Sequence, residues 1–381
     1  MFENIRYISE ETYSTWFRGH PEPEDIILVT KGTPGRVCMV PNPVNFCIAQ
    51  DMVAIRADPH KIYPKYLFAV LRSSEIQQQI ENMHVGTLIP HFKKGDFDKL
   101  LIPILDRESQ KIIGDVYFTF SLQIELNRQM NETLEAIARA LFKSWFVDFD
   151  PVRAKAEGRQ PVGMDVETAA LFPSEFEVVD GREVPKGWKI GKLSDIIELI
   201  GGGTPKTSIS EYWNGDIPWF SIVDIPQDSD VFVIDTGKHI TMEGVNNSSS
   251  KILPIGTTII TARGTVGKLA LVGAPMAMNQ SCYGIKGMNG FPEYYIYFLM
   301  KSVIIGLQKQ THGTVFETIT RQTFDGIDIV LPPPIIAQKF NIVIHSHLEK
   351  IRNNLMESSI LAQIRDALLP KLMSGEISIE T

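Results

Sequence analysis

A chain whose second half repeats its first cannot fold around one arbitrary core, because each copy must build the same supersecondary unit and bury the same apolar face. Here Thr30-Lys31-Gly32-Thr33-Pro34-Gly35-Arg36-Val37 recurs as Ala262-Arg263-Gly264-Thr265-Val266-Gly267-Lys268-Leu269 at an offset of 232, with both glycines and both basic positions kept. The correspondence continues in order through Ala49-Gln50 and Asn279-Gln280 at 230, Tyr63-Pro64-Lys65-Tyr66 and Phe291-Pro292-Glu293-Tyr294 at 228, and Gly86-Thr87 and Gly313-Thr314 at 227. Gln110-Lys111 matches Gln338-Lys339, after which Asn127, Leu134, Ile137, Ala140 and Leu141 meet Asn354, Leu361, Ile364, Ala367 and Leu368 at a constant 227. Small drifts mark loops of different length, whereas a constant offset marks a helix, in which an insertion would turn the buried face away. Residues 5–145 thus recur at 237–371. Upstream, Arg6-Tyr7-Ile8-Ser9 aligns with Lys238-His239-Ile240-Thr241, while the stretch of the second copy from Trp188 to Thr236 has no counterpart in the first.

The length of 381 residues predicts two domains plus connectors, at roughly 100 to 200 residues per domain. A hydrophobic fraction of 44% and a charged fraction of 22% support packed cores and exclude the disordered and membrane classes. No apolar run approaches the ~20 residues that span a bilayer, and Met1-Phe2-Glu3-Asn4 lacks a signal-peptide pattern, so a cytoplasmic location is expected. Cys38, Cys47 and Cys282 lie in unrelated contexts without metal-ligand spacing and read as reduced core residues, with no metal site. The net charge of −8 argues mildly against a nucleic-acid partner, because Lys and Arg make the phosphate contacts.

The expected fold class is α+β. Short β-rich segments such as Thr257 to Thr261 and Lys268 to Val272 flank the turn Arg263 to Gly267 and read as hairpins. Pro103 in the first copy and Pro332-Pro333-Pro334 in the second stop regular structure, and a helix follows each. Between Arg107 and Phe146, Val116, Phe120, Met130, Leu134, Ile137 and Leu141 fall on three- and four-residue steps, the mark of a coiled-coil seam. Ile344, Ile351, Leu361, Ile364 and Leu368 repeat that seam in the second helix, so each helix is the natural partner of the other. Asn127 and Asn354 fall in the seams, where a polar residue lowers stability but fixes register; two solvent-facing asparagines are the alternative. A helix of about 40 residues spans roughly 60 Å, enough to hold two domains at a set separation. The expected division is a first domain at 1–105, incomplete at its N-terminal side, a central long helix at 106–149, a connector without its own core at 150–186, a second domain at 187–335 and a C-terminal long helix at 336–375.

Catalytic signatures are missing. Gly201-Gly202-Gly203-Thr204-Pro205-Lys206-Thr207 lacks the phosphate-loop spacing, and Pro205 removes an N–H from any cradle. Gly264 to Lys268 holds a Gly-Lys pair with no following Ser or Thr, so a hairpin turn accounts for it. No Gly-x-Gly-x-x-Gly, His-Glu-x-x-His or Gly-x-Ser-x-Gly pattern occurs, and the eight histidines are scattered. The chain reads as a binder, not an enzyme.

Three stretches carry a resemblance to a known family: Asn131-Glu132-Thr133-Leu134 through Ala140-Leu141-Phe142-Lys143-Ser144-Trp145-Phe146-Val147-Asp148-Phe149-Asp150-Pro151-Val152-Arg153-Ala154-Lys155, followed by Leu171-Phe172-Pro173 and Val184-Pro185-Lys186-Gly187-Trp188; Gly202-Gly203-Thr204-Pro205; and Leu331-Pro332-Pro333-Pro334 to Gln338-Lys339. On these residues the chain resembles, over essentially its whole length, the specificity subunit of type I restriction-modification systems. The resemblance implies two target-recognition domains in tandem, each reading one half of a split sequence in double-stranded DNA, with the long helices pairing as an antiparallel coiled coil between them. It implies two modification subunits that bind S-adenosylmethionine and methylate adenine, and restriction subunits that translocate and cut DNA, with no cofactor in this chain. Partners that encircle the duplex would supply much of the phosphate contact, which makes the acidic net charge tolerable.

Base reading needs polar side chains on loops, and Arg, Lys, Asn and Gln match guanine and adenine edges. The candidates are Thr204, Lys206, Arg263, Thr265, Lys268, Asn279, Gln280 and Arg321 in the second domain, and Lys31, Thr33, Arg36, Gln50, His91, Lys93 and Lys94 in the first. Gly-Thr turns shared by both copies are equally open to a scaffold role, since domains reading different half-sites should differ where they touch bases. Asn127, Leu134, Ile137 and Leu141 against Asn354, Leu361, Ile364 and Leu368 form the expected interhelical seam, with Phe142, Trp145 and Phe146 either in the core or against a partner subunit. Two other readings stand beside this one: a truncated specificity subunit that reads a single half-site, and a self-sufficient DNA methyltransferase. The latter would need the Asn/Asp-Pro-Pro-Tyr/Phe motif, which the chain lacks.

Overall fold

The computed structural model of the chain describes residues 6–17, 19–48, 50–83, 90–226, 230–310 and 318–377, so Met1-Phe2-Glu3-Asn4, Ala49, Gly86-Thr87 and Gly313-Thr314 lie outside the described residues. Two compact units divide it, Met1–Glu125 with Ser358–Thr381, and Leu126–Glu357.

In the first unit, helix α1 (Glu10–Thr15) starts where the Ser9 hydroxyl accepts the Thr12 N–H at 3.1 Å, a side-chain cap for an otherwise orphaned donor. Strand β1 (Ile26–Val29) lies between β2 (Val37–Met39) and β3 (Met52–Ile55) in an antiparallel sheet. Helix α2 (Pro64–Leu71) opens on proline, whose missing N–H costs nothing in a first turn. Its residues Tyr66 to Leu71 are all buried, and α3 (Ser74–Met83) buries only Ile76 and Ile80. The long helix α4 (Arg107–Phe146) begins here. Gly114 lets it touch α2, because a Cβ at that position would lie 2.5 Å from the Tyr66 backbone nitrogen. Gln110 ties the start of α4 down, accepting the Tyr63 N–H and donating to the Leu105 carbonyl, each at 2.8 Å.

The second unit continues from α4 through α5 (Asp150–Ala156), α6 (Val166–Ala170) and the hairpin β4 (Phe176–Val179) with β5 (Arg182–Pro185). There follow β6 (Lys189–Lys192), β7 (Ile197–Gly201), β8 (Trp213–Phe220), β9 (Phe232–Val233), β10 (His239–Ile240), α7 (Met242–Asn246), β11 (Thr258–Thr261), β12 (Leu269–Val272), β13 (Ala277–Met278) and β14 (Cys282–Gly287). Helices α8 (Glu293–Gln310) and α9 (Arg321–Asp325), strand β15 (Asp328–Leu331) and the long helix α10 (Pro334–Met373) complete the order. The main sheet runs β7-β14-β11-β12-β9, with smaller sheets β10-β8-β13 and β15-β6.

Sequence offsets reappear as strand register. Leu28 faces Val37 and Ile260 faces Leu269, both displaced by 232, while Ile27 faces Ala54 and Ile259 faces Gly284, displaced by 232 and 230. A one-residue slip would turn each strand's apolar face outward, so the two copies share one pairing scheme. Thr241 caps α7 as Ser9 caps α1.

The long helices pair antiparallel. In the second unit Phe142 near the end of α4 packs on Phe340 near the start of α10, ring centroids 5.6 Å apart. In the first unit, Ile113 and Tyr117 share a core cluster with Leu369. The buried stripe of α4 runs through Ile113, Tyr117, Asn127, Asn131, Ala138, Phe142 and Trp145. Asn127 and Asn354 therefore face the partner helix: the Asn127 amide donates to the Asn354 carbonyl at 3.5 Å and to Glu357 Oε2 at 3.2 Å, and the Asn354 amide donates to Asn131 Oδ1 at 2.9 Å. Leu134 and Leu141 pack half-buried on the same core, Leu361 is half-buried, and Leu368 lines a gap with Ile113 and Tyr117.

Two expectations are corrected. Ile137 and Ile364 are each 41% exposed, as is Met130 at 43%, so these residues do not form the seam. The stripe passes one position later through Asn131 and Ala138, because contact between helices favours a small or hydrogen-bonded side chain that apolar periodicity does not register. The 150–186 connector is not coreless either. Val152 and Phe172 join the core beside Trp145 and Trp188, with Trp145–Phe172 ring centroids at 5.3 Å and Phe149–Trp188 at 5.5 Å. Its apolar residues are spaced irregularly and show no period, yet Phe172 is held between the buried rings of Trp145 and Trp188. Phe142, Trp145 and Phe146 are themselves buried in this cluster.

Candidate nucleic-acid interface

Strand order decides which loops can act together. In the main sheet of the second unit, Gly201 at the end of β7 lies opposite Tyr283, Thr261 at the end of β11 lies opposite Cys282 at the start of β14, and β12 begins at Leu269 across from Ile260. The segments 202–207, 262–268 and 279–281 therefore leave one end of the sheet. Ile319 N–H donates to the Ala262 carbonyl at 2.9 Å, which adds the start of α9 to the same end. Thr204, Lys206, Arg263, Thr265, Lys268, Asn279, Gln280 and Arg321 sit on these segments, although they are spread over more than a hundred residues of sequence.

The loops are closely fitted. A Cβ on Gly202 would fall on the Asn279 carbonyl oxygen and one on Gly203 would collide with the Ser249–Ser250 backbone, so the glycine pair serves close backbone approach. Trp219 Nε1 donates to the Gly203 carbonyl at 3.0 Å and Trp213 Nε1 to the Lys206 carbonyl at 3.3 Å. The Thr204 hydroxyl donates to Gln280 Oε1, and Asn279 Oδ1 accepts the Ser281 N–H at 3.0 Å. Thus Thr204 and Asn279 are half-buried and hold loops in place, while Lys206, Gln280, Arg263, Thr265, Lys268 and Arg321 are exposed. The Arg321 guanidinium donates to the Leu199 carbonyl at 3.4 Å. Burial pushes the Cys282 thiol beside this end up to about 12, so it stays protonated and inert. Cys282 is in the core; Cys38 and Cys47, expected there too, are only half-buried because they sit on the edge strand β2 and on a loop.

The first unit repeats this arrangement. The turn joining β1 to β2 carries Lys31, Thr33 and Arg36, all exposed, and Gln50 is exposed just before β3. Thr30 N–H donates to the Asp51 carbonyl, Gly32 N–H to the Pro90 carbonyl and Phe92 N–H to the Thr30 carbonyl at 2.8–2.9 Å, which brings 30–36, 50–51 and 90–94 together. His91 forms a bridge with Lys31 and is half-buried, its Nδ1 shielded, while Lys93 and Lys94 are exposed. The turn has one backbone path in both copies: Gly32, Gly35, Gly264 and Gly267 have φ of 82°, 90°, 77° and 83°, and Gly35 and Gly267 donate to the carbonyls of Val29 and Thr261. Positive φ at two positions explains the paired glycines without reference to a ligand. Among the described residues no group of His, Cys, Asp and Glu could hold a metal ion.

One element of this end has no apolar period to mark it in the sequence. After β8 comes a 3-10 turn, Ile222–Asp224, whose Ser221 and Asp224 cap each other. A Ser-x-x-Asp spacing was its available signal.

The family model described as type I restriction modification DNA specificity domain matches residues 19–136 and 185–366. The type I restriction enzyme HindI specificity subunit of Haemophilus influenzae is 32% identical over 90% of this chain and 84% of its own length. The MjaIX specificity subunit of Methanocaldococcus jannaschii is 26% identical over 94% of this chain and 79% of its own. In fold, the crystal structure of a type I restriction-modification S subunit from M. genitalium superposes with a TM-score of 0.59 at 17% identity, covering 94% of this chain and 84% of that one. The two copies, their matched strand registers and the paired helices thus belong with one family, and the chain is a member of the type I restriction-modification DNA specificity family.

Proposed function

We propose that this chain is the non-catalytic DNA sequence-specificity subunit of a type I restriction-modification complex. The observation that carries the reading is the duplicated convergence of loop side chains: exposed Arg, Lys, Thr and Gln from distant segments gather at one end of a sheet in each unit. These are the side-chain types that contact phosphates and base edges. Each unit reads one half of a bipartite double-stranded target, the first through Lys31, Thr33, Arg36, Gln50, Lys93 and Lys94, the second through Lys206, Arg263, Thr265, Lys268, Gln280 and Arg321. Helices α4 and α10 set the spacer between half-sites and carry the docking surface for two modification subunits, whose S-adenosylmethionine supplies the methyl group; restriction subunits join that assembly in the cytoplasm. Domain limits at 1–105 and 187–335, with the helices and connector between and after them, follow from this reading.

Methylome sequencing of a host expressing the three-subunit system tests it. A bipartite methylated motif with a fixed spacer is expected, and Gln280→Ala should relax one half only. A motif confined to one half-site, or methylation by the purified chain alone, would overturn it.

A further inference from the structure

Val223 is 84% exposed, yet it occupies a turn braced by three hydrogen bonds to one carboxylate. The Asp224 carboxylate accepts the Ser221 N–H at 2.8 Å, the Ser221 hydroxyl at 2.8 Å and the Gly237 N–H at 2.9 Å. Exposure of this aliphatic side chain is thus built into a rigid turn. The location is equally specific. Strand β8 leads into the turn beside β13, which leads into Asn279, and the Asn279 N–H donates to the Phe220 carbonyl at 2.9 Å. On the other side, a Cβ on Gly264 would lie 3.0 Å from Ile222 Cδ1, which seats the turn against the Arg263 hairpin.

Resting on the proposed DNA-reading role, we propose that Val223 is a specificity-determining residue that reads the C5-methyl group of a thymine in the second unit's half-site. On the major-groove edge of DNA the thymine methyl is the apolar feature, and small aliphatic groups contact it. Gln280 alongside is exposed and is a residue type whose amide matches adenine, thymine's partner, so an aliphatic tip and an amide at one site complement an A·T pair. Insertion between base steps is the other known use of apolar side chains, but it employs longer or bulkier groups in the minor groove, which a short β-branched valine on a fixed turn does not match.

The test uses the complex of the full chain with its modification subunits and duplexes bearing its methylated motif, each thymine replaced in turn by deoxyuridine, which lacks only the methyl. Wild type should lose binding at one position by about three- to fivefold, the effect of one buried methyl. Val223→Ala should bind the thymine duplex correspondingly more weakly and show no further loss with uracil there, while Val223→Ile keeps the thymine preference. Equal affinity of V223A and wild type on every duplex, or a V223A loss that is the same on thymine and uracil DNA, would overturn the inference. Absence of any sequence-dependent binding by the wild-type complex would instead overturn the DNA-reading role itself.

Discussion

A glycine inside a helix ordinarily weakens it, and replacing it with alanine gains up to about 1 kcal/mol. At Gly114 the sign reverses, because the new Cβ would lie 2.5 Å from the Tyr66 backbone nitrogen and 2.9 Å from the Lys65 carbonyl carbon, neither of which can swing aside. Gly114→Ala should destabilise the first unit by about 1 to 3 kcal/mol, the usual cost of overpacking, and urea unfolding will show it; an unchanged or higher midpoint would mean that α2 and α4 separate freely. Residues at the proposed DNA-contacting end divide by role. Lys206 is exposed and offers a charge without a fork, so Lys206→Ala should weaken binding about equally on all sequences and flatten the salt dependence by about one unit of slope. A sequence-selective loss would show that Lys206 reads a base. At this scale the Gly-x-x-Gly turns were legible, since only glycine takes their positive φ without strain. Val223 was not, because nothing local distinguishes an exposed valine on a braced turn from one in a core.

Helix pairing was legible from three- and four-residue steps, but its phase was not. The apolar steps point to Met130 and Ile137, whereas the buried positions are Asn131 and Ala138. Apolar periodicity weighs side chains by transfer energy, and an interhelical contact selects them by fit and by satisfied hydrogen bonds. The asparagine cluster turns that difference into a measurement. Asn354 is wholly buried and its amide donates to Asn131 Oδ1 at 2.9 Å. Asn354→Leu strands that oxygen and should cost about 1 to 3 kcal/mol. Asn354 Oδ1 itself has no partner in the pair as it stands, so the double substitution of Asn131 and Asn354 to leucine removes both needs and should restore much of the loss. A double-mutant cycle by chemical denaturation reads the coupling directly, and additive losses would show that the two amides do not depend on each other. The convergence of the candidate loops belongs to this scale too: it depends on the order β7-β14-β11-β12-β9, which brings together segments that the linear chain keeps far apart.

For the molecule as a whole, the proposed function makes the spacer a property of α4 and α10, and hence something helix geometry can change without touching a reading loop. Four residues inserted into each helix add about 6 Å at 1.5 Å per residue and turn the helix about 40° past a whole turn. An antiparallel pair absorbs such a four-residue stutter by local unwinding. Since DNA rises about 3.4 Å per base pair along each strand, the methylated motif should keep both half-sites and gain one or two base pairs between them. Placing the insertions away from Asn127, Asn131 and Asn354 keeps their hydrogen bonds, so the register stays set while the length changes. Methylome sequencing of the inserted variant decides the point. A longer spacer with unchanged halves assigns spacing to the helices, whereas altered half-sites with an unchanged spacer would assign it to the partner subunits and leave the helix pair a structural support only.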